Sequence, residues 1–215
     1  MSTVAGRDAS ADLAGIPRPA DRPAVRLATA DGRALALPVE RWLGDATAGE
    51  RHVLAAAAGP VLDVGCGPGR HLLALNRAGV PALGIDTSPE AVAIARRRGV
   101  SALVRSVFDR LPGAGRWGTA LLLDGNIGIG GDPRALLRRV RALVAPAGEI
   151  IVEVGEGSGV ETLAVRIEHG RGPRSEWFPW ALVGAGALAE VADAAGLRAW
   201  RRWEVEGRCF VGLRC

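Results

Sequence analysis

Two hydrophobic rhythms divide the chain. The stretch "VRLATADGRALALPV", from Val25, alternates apolar and polar positions on both sides of Asp31-Gly32, which predicts a hairpin. From Pro60 onward, short unbroken apolar runs alternate with stretches of helical period. "PVLDV", "VPALGID", "VSALVRS", "WGTALLLD" and "GEIIVEV" read as strands. Continuous apolar strands suit a parallel sheet covered on both faces. The helices bring their own start signals. Thr47 and Glu50 have the T-x-x-E spacing of a capping box, ahead of a helix over about 48–58. Ser88-Pro89 and Asp132-Pro133 each pair an N-cap with a first-turn proline. The closing "LRAWRRWEVEGRCFVGLRC" reads as two strands turning at Glu206-Gly207, antiparallel because no crossover joins them. The expected fold is therefore α/β, a doubly wound, mostly parallel seven-stranded sheet with a C-terminal antiparallel strand pair. Residues 155–182 fall outside the alternation, and residues 1–24 have no periodicity and read as a mobile arm. The rest, 25–215, reads as one domain: hairpin and helix to 59, core over 60–154, and a last part over 155–215.

Composition adjusts this picture only slightly. All 27 basic residues are arginine, and the net charge of +4 with a pI near 10.0 admits an acidic partner such as nucleic acid. The arginines are scattered among alanine and leucine, so charge alone selects no partner. Three cysteines, Cys66, Cys209 and Cys215, make no complete disulfide framework and no C-x-x-C pair, which favours a reducing, cytoplasmic setting. The first residues lack a signal-peptide pattern, and no window approaches the roughly 18 apolar residues of a membrane span, so a soluble protein is expected.

Chemistry in an open α/β sheet gathers at the carboxyl ends of the strands, where the winding reverses. There "VLDVGCGPGRH" bares the backbone at Gly65, Gly67 and Gly69. A dinucleotide site asks for G-x-G-x-x-G, and the position of its third glycine is Arg70 here. Asp63 also fits poorly beside a phosphate. Asp86, about 20 residues on, can accept hydrogen bonds from a ribose. An adenosine without a phosphate satisfies both observations. Cys66 reads as a small turn residue, since no acid–base partner is spaced near it. Pro68 completes the loop.

At these residues the chain resembles class I S-adenosylmethionine-dependent methyltransferases. "LDVGCGPG" is similar to that family's first motif, D-x-G-x-G-x-G, and "GIDTSP" to its second. The resemblance covers residues 40–155 well and implies a Rossmann-like fold with S-adenosyl-L-methionine as cofactor. It implies that Asp63 and the run Gly65, Cys66, Gly67, Pro68 and Gly69 line the methionine part, with Asp86 on the ribose and Thr87 flanking adenine. The third motif usually places an acid after strand three. Here Ser106 stands there, with Asp109 three residues later, and Ser106 with the Val107 main chain is the preferred reading. Asp124, Gly125 and Asn126 end the fourth strand and would face the methyl group. Arg41 is a candidate for the methionine carboxylate. The expected reaction is in-line transfer of the sulfonium methyl to a small-molecule acceptor. His169 is the first candidate for a general base and His71 the second, if one is needed. The segment "IEHGRGPRSEWFPW" offers Glu168, Trp177, Phe178 and Trp180 for an acceptor pocket. Three alternatives stand beside this reading: a nicotinamide-dependent oxidoreductase, a non-catalytic adenosylmethionine-binding protein, and a nucleic-acid methyltransferase. The last is weakened because "LLLDGNIGIGGD" has neither an N-P-P-Y-type tetrapeptide nor a Pro-Cys pair.

Overall fold

The hairpin forms as β1 (Val25–Thr29) and β2 (Ala34–Ala36), and two short helices follow, α1 (Val39–Leu43) and α2 (Ala48–Leu54). A computed structural model describes residues 25–170, 172 and 174–215, so the expected arm over 1–24 lies outside the described residues. The capping box at α2 is complete. The Thr47 hydroxyl accepts from Glu50 N at 3.1 Å, and the Glu50 carboxylate accepts from Thr47 N at 3.0 Å. The helix ends at Leu54, short of about 58, because Ala56 N and Ala57 N turn to the carbonyls three residues back.

The alternating region folds as its pattern dictates. In order come β3 (Val61–Val64), α3 (Arg70–Arg77), β4 (Ala82–Asp86), α4 (Pro89–Arg97), β5 (Ala102–Val104), β6 (Trp117–Leu122), α5 (Pro133–Arg141) and β7 (Val144–Val154). Ser88 caps α4 by accepting from Ala91 N, and Asp132 caps α5 by accepting from Arg134 N and Ala135 N. After β8 (Val160–His169), β9 (Phe178–Val183) and α6 (Leu188–Asp193), the chain closes on β10 (Arg198–Val205) and β11 (Arg208–Arg214).

Seven strands make the main sheet in the order β10-β11-β7-β6-β3-β4-β5. The β3, β4, β5, β6 and β7 pairings are parallel, and β11 is antiparallel to both β7 and β10. Core side chains alternate across the sheet. Leu62, Val64, Leu122 and Val152 pack on Leu136 and Val140 of α5 and Leu188 of α6. Val61, Leu121, Ile151 and Phe210 face the other way, onto Val53 of α2 and Leu75 of α3. Asp63 shares parity with Val61, so its carboxylate is buried on the α2–α3 side. The winding reverses at β3, whose neighbours are β4 and β6, and this brings the loops after β3 and β6 side by side.

The segment over 155–182 holds more structure than its sequence announces. It contributes β8 and β9, which join the hairpin in a second, four-stranded antiparallel sheet of order β2-β1-β8-β9. Leu163, Val165 and Ile167 alternate along β8 and pack with Leu27, Phe178, Trp180 and Leu182 on one face. β9 leans on the loop after β6 through a bridge between Ile129 and Trp180. The small sheet is thereby fixed beside the carboxyl ends of the parallel strands.

Candidate functional site

Each glycine of the loop after β3 has its own physical reason. All three have positive φ, from +52° to +84°. A Cβ on Gly65 would stand 2.5 Å from Asn126 Nδ2, and one on Gly69 would stand 3.0 Å from Ala95 and Val100. Those two glycines let the fourth-strand turn and α4 approach. Gly67 is different, because its Cβ would meet nothing within 4 Å. The bare backbone at Gly67 faces open space. Gly67 N donates to Asp86 Oδ2 at 2.8 Å, and Ser88 N donates to Asp86 Oδ1 at 2.9 Å. Asp86 therefore ties the glycine loop to β4, and each of its oxygens keeps one lone pair for something else. Cys66 is buried against Leu72 and the thiol is pushed up by that burial, so it is inert packing.

The turn after β6 lies opposite. Asn126 Nδ2 donates to the carbonyls of Val64 and Gly65, at 2.9 and 3.0 Å, stapling the two loops together. Asp124 adopts φ +56°, rare for a residue with a side chain, and its N–H donates to Glu153 Oε2 at 2.6 Å. Its carboxylate gathers three guanidiniums: Arg41 and Arg70 at 2.8 Å, and Arg208 at 3.0 Å. Burial opposes ionisation of Asp124, but the Arg70 hydrogen bond and the neighbouring cations hold its carboxyl below the ordinary range. Arg70 and Arg208 also reach Glu50, and Arg208 pairs with Glu153. Glu50 is fully buried. Desolvation would raise its carboxyl, yet the hydrogen bonds around it hold it well down.

This arginine–carboxylate cluster was invisible along the chain. Glu50 reads as a cap and does serve as one, while Arg70 reads as a missing glycine. Their partners come from α2, α3, the end of β6, β7 and the start of β11. The only sequence signal is that charged residues recur at element ends near the expected cleft.

Among the buried atoms that have no partner among the described residues are Asp63 Oδ2 and His71 Nε2. His71 Nδ1 lies 3.9 Å from Asp63 and Nε2 lies 3.8 Å from Glu50, too far for hydrogen bonds. Burial pushes the Asp63 carboxyl up to about 6. Arg41 Nε is likewise buried without a partner. Asp63 Oδ2 and Arg41 Nε are both sealed from solvent, and the Arg41 guanidinium reaches Asp124 through Nη2.

Of the other expected positions, Thr87 is exposed beside Asp86, and Ser106 and Val107 follow β5. Asp109 turns back to accept from Ser106 N at 3.0 Å, and the Val107 carbonyl accepts from Arg139 at 2.8 Å. Ser106 Oγ accepts from Phe108 N at 3.2 Å. A recess of about 540 Å³ adjoins the Asp124 turn, lined by Gly125, Ile127, Glu153, Glu161, Leu182 and neighbours. Neither candidate histidine lines it: His71 is buried between carboxylates, and His169 is exposed at the end of β8. Nor do Glu168, Trp177, Phe178 or Trp180. Phe178 and Trp180 instead pack edge to face on the apolar side of the small sheet. Among the described residues no cluster of His, Cys, Asp and Glu suits a metal ion, and no helix is long and apolar enough to cross a membrane.

Residues 39–201 match the family model described as a methyltransferase domain. A release factor glutamine methyltransferase of Rhodospirillum rubrum is 34% identical over 139 residues, covering 49% of this chain and 42% of that protein. The chain spans less than half the length of the curated relatives it matches, 42% and 45% of theirs. A SAM-dependent methyltransferase from Bacteroides fragilis, solved with S-adenosyl-L-homocysteine, superposes with a TM-score of 0.76 at 24% identity, covering 91% of this chain and 89% of that one. A Burkholderia thailandensis 1,6-didemethyltoxoflavin-N1-methyltransferase gives 0.60 at 22% identity, covering 88% and 95%.

Proposed function

The chain belongs to the methyltransferase-domain family, and from that premise we propose that it binds S-adenosyl-L-methionine over the Gly67 backbone and methylates a small-molecule acceptor. The observation that carries this is the open cradle at Gly67, whose N–H is tied to Asp86. The residues present fit the cofactor. Asp63 accepts from its ammonium, Arg41 donates to its carboxylate, and the free lone pairs of Asp86 take the ribose hydroxyls. Gly65, Cys66, Pro68 and Gly69 shape the loop, while Thr87, Ser106 and the Val107 N–H edge the adenine. When bound, this cofactor supplies an electrophilic methyl on its sulfonium.

The chain's own contribution is position. Three guanidiniums hold Asp124, and Asn126 ties the turn that carries Gly125 to the carbonyls of Val64 and Gly65, so the turn at the mouth of the 540 Å³ recess is braced from both sides. That volume falls in the range of small-molecule pockets, about 300–1,000 Å³. Asp124 is a brace and not a base, since its carboxylate is saturated by cations. With both histidines outside the recess, the reading is an acceptor atom that brings its own lone pair, aligned in the recess by Ile127, Leu182 and the Gly125 main chain.

The test is methyl transfer itself. Incubation with methyl-labelled S-adenosylmethionine and pooled small amines and phenols is expected to label an acceptor below 1 kDa, at about the size such a recess holds. Label appearing only in protein or nucleic acid would refute the small-acceptor reading while leaving the cofactor site standing.

A further inference from the structure

The four-stranded sheet has a second face, turned away from its apolar side, and it carries charge. The β1–β8 register opposes Arg26 to Glu168 and Ala28 to Arg166, so Arg26, Arg166 and Glu168 share that face. Here a recess of about 410 Å³ is lined by Arg26, Arg33, Arg166, Arg174, Glu168 and Trp177, among others. Glu168 is buried, and its two oxygens are full. Oε2 accepts from Arg26 Nε and Nη2 at 3.0 and 2.8 Å, and Oε1 pairs with Arg166 and Arg174. Three guanidiniums thus share one carboxylate, leaving two positive charges unbalanced around it. Arg33 pairs at the rim with Asp31 and Glu161, both exposed. Trp177 lies under the Arg166 guanidinium, 4.6 Å from ring centroid to Cζ, and fixes its plane while remaining 46% exposed.

We propose that this recess is a second binding site, for the phosphoryl group of a small ligand. A carboxylate is already supplied from within by Glu168, and it does not satisfy the cations. The groups left over are the second Nη of Arg26 and of Arg166, and both Nη of Arg174, which meet no further carboxylate among the described residues. Several guanidinium forks converging on one volume match an anion with three or more oxygens and about two charges. The arginines are gathered in one recess instead of being strung along a groove, which favours a small ligand over a nucleic acid strand. None of these residues belongs to the glycine loop or its acids, so the site does not depend on the methyl-transfer reading.

The probe is inorganic pyrophosphate, titrated calorimetrically into the full chain at low salt. Saturable binding is expected, weakened about tenfold in the double variant Arg33→Ala/Arg174→Ala, whose two arginines lie at the rim and leave Arg26 and Arg166 on Glu168. An unchanged melting temperature confirms that this variant folds. In a separate variant, Glu161→Gln releases Arg33 from one carboxylate and is expected to tighten binding. Pyrophosphate that gives no heat, or binds the wild type and the double variant equally, overturns the proposal. So does displacement by S-adenosylhomocysteine, which would place the anion in the cofactor cleft, and so does binding of a short RNA alone. Failure of S-adenosylhomocysteine to bind would count against the proposed function and leave this site untouched.

Discussion

Asp63 sits under the cleft with one carboxylate oxygen unpartnered, and burial pushes its carboxyl up to about 6 from an ordinary 3.8. The protonated form is therefore favoured in the folded chain. Its contribution to stability is full below about pH 4 and is lost as pH rises through about 6. Asp63→Asn removes this dependence. Urea unfolding should show wild-type stability, relative to that variant, falling by roughly 2–3 kcal/mol between pH 4 and 7. A difference that stays flat with pH would contradict the burial argument. A ligand ammonium placed on Asp63 favours the ionised form instead. S-adenosylhomocysteine affinity should then rise as pH passes through about 6 in the wild type and lose that step in Asp63→Asn. Gly67 makes the complementary case. The Cβ of a valine there meets nothing within 4 Å but the residue is strained at φ +52°, so the expected cost in stability is about 1–2 kcal/mol while ligand binding is lost. A valine variant that binds normally would show that the cradle is not the site.

At the scale of elements, the cleft is held by a charge cluster to which six segments contribute: α1, α2, α3, the turn after β6, β7 and β11. Arg208 begins β11, yet it reaches Glu50 on α2, Glu153 on β7 and Asp124 beyond β6. Removing it leaves Glu153 without a cation among the described residues and takes one guanidinium each from Glu50 and Asp124. Denaturant unfolding of Arg208→Ala is expected to show a loss of about 3–5 kcal/mol, with Arg208→Lys intermediate because an ammonium lacks the planar fork. A loss under about 1 kcal/mol would mean that the cluster is solvated and weak. The same cluster shows where reading the sequence stops. The strands, the caps at Thr47, Ser88 and Asp132, and the glycine loop announce themselves locally, because each depends on neighbours a few residues away. Arg70 does not, because its burial depends on Glu50 and Asp124, which only the finished fold brings to it. β8 has a legible alternation at Leu163, Val165 and Ile167. Its partner β1 is distant, 142 residues separating Arg26 from Glu168, and the strand–helix rhythm of the core offered no place for it.

For the molecule as a whole, the second sheet is the addition that the sequence pattern did not foresee. It joins the N-terminal hairpin to the segment between β7 and α6, setting an apolar face and a cationic face beside the strand ends. The parallel sheet, its reversal at β3 and the closing antiparallel pair follow directly from the order of apolar runs. The proposed cofactor site follows from them, since the loops after β3, β4 and β6 meet where the winding turns. The recess proposed for the acceptor does not, because its far wall is β9. The most direct measurement is calorimetric titration of the wild type and Asp86→Ala with S-adenosylhomocysteine and, separately, NADH. The expected result is one saturable site for S-adenosylhomocysteine in the wild type, lost in a variant that still melts cooperatively, and no heat from NADH. Saturable binding of NADH with no response to S-adenosylhomocysteine would contradict the assignment of the cleft.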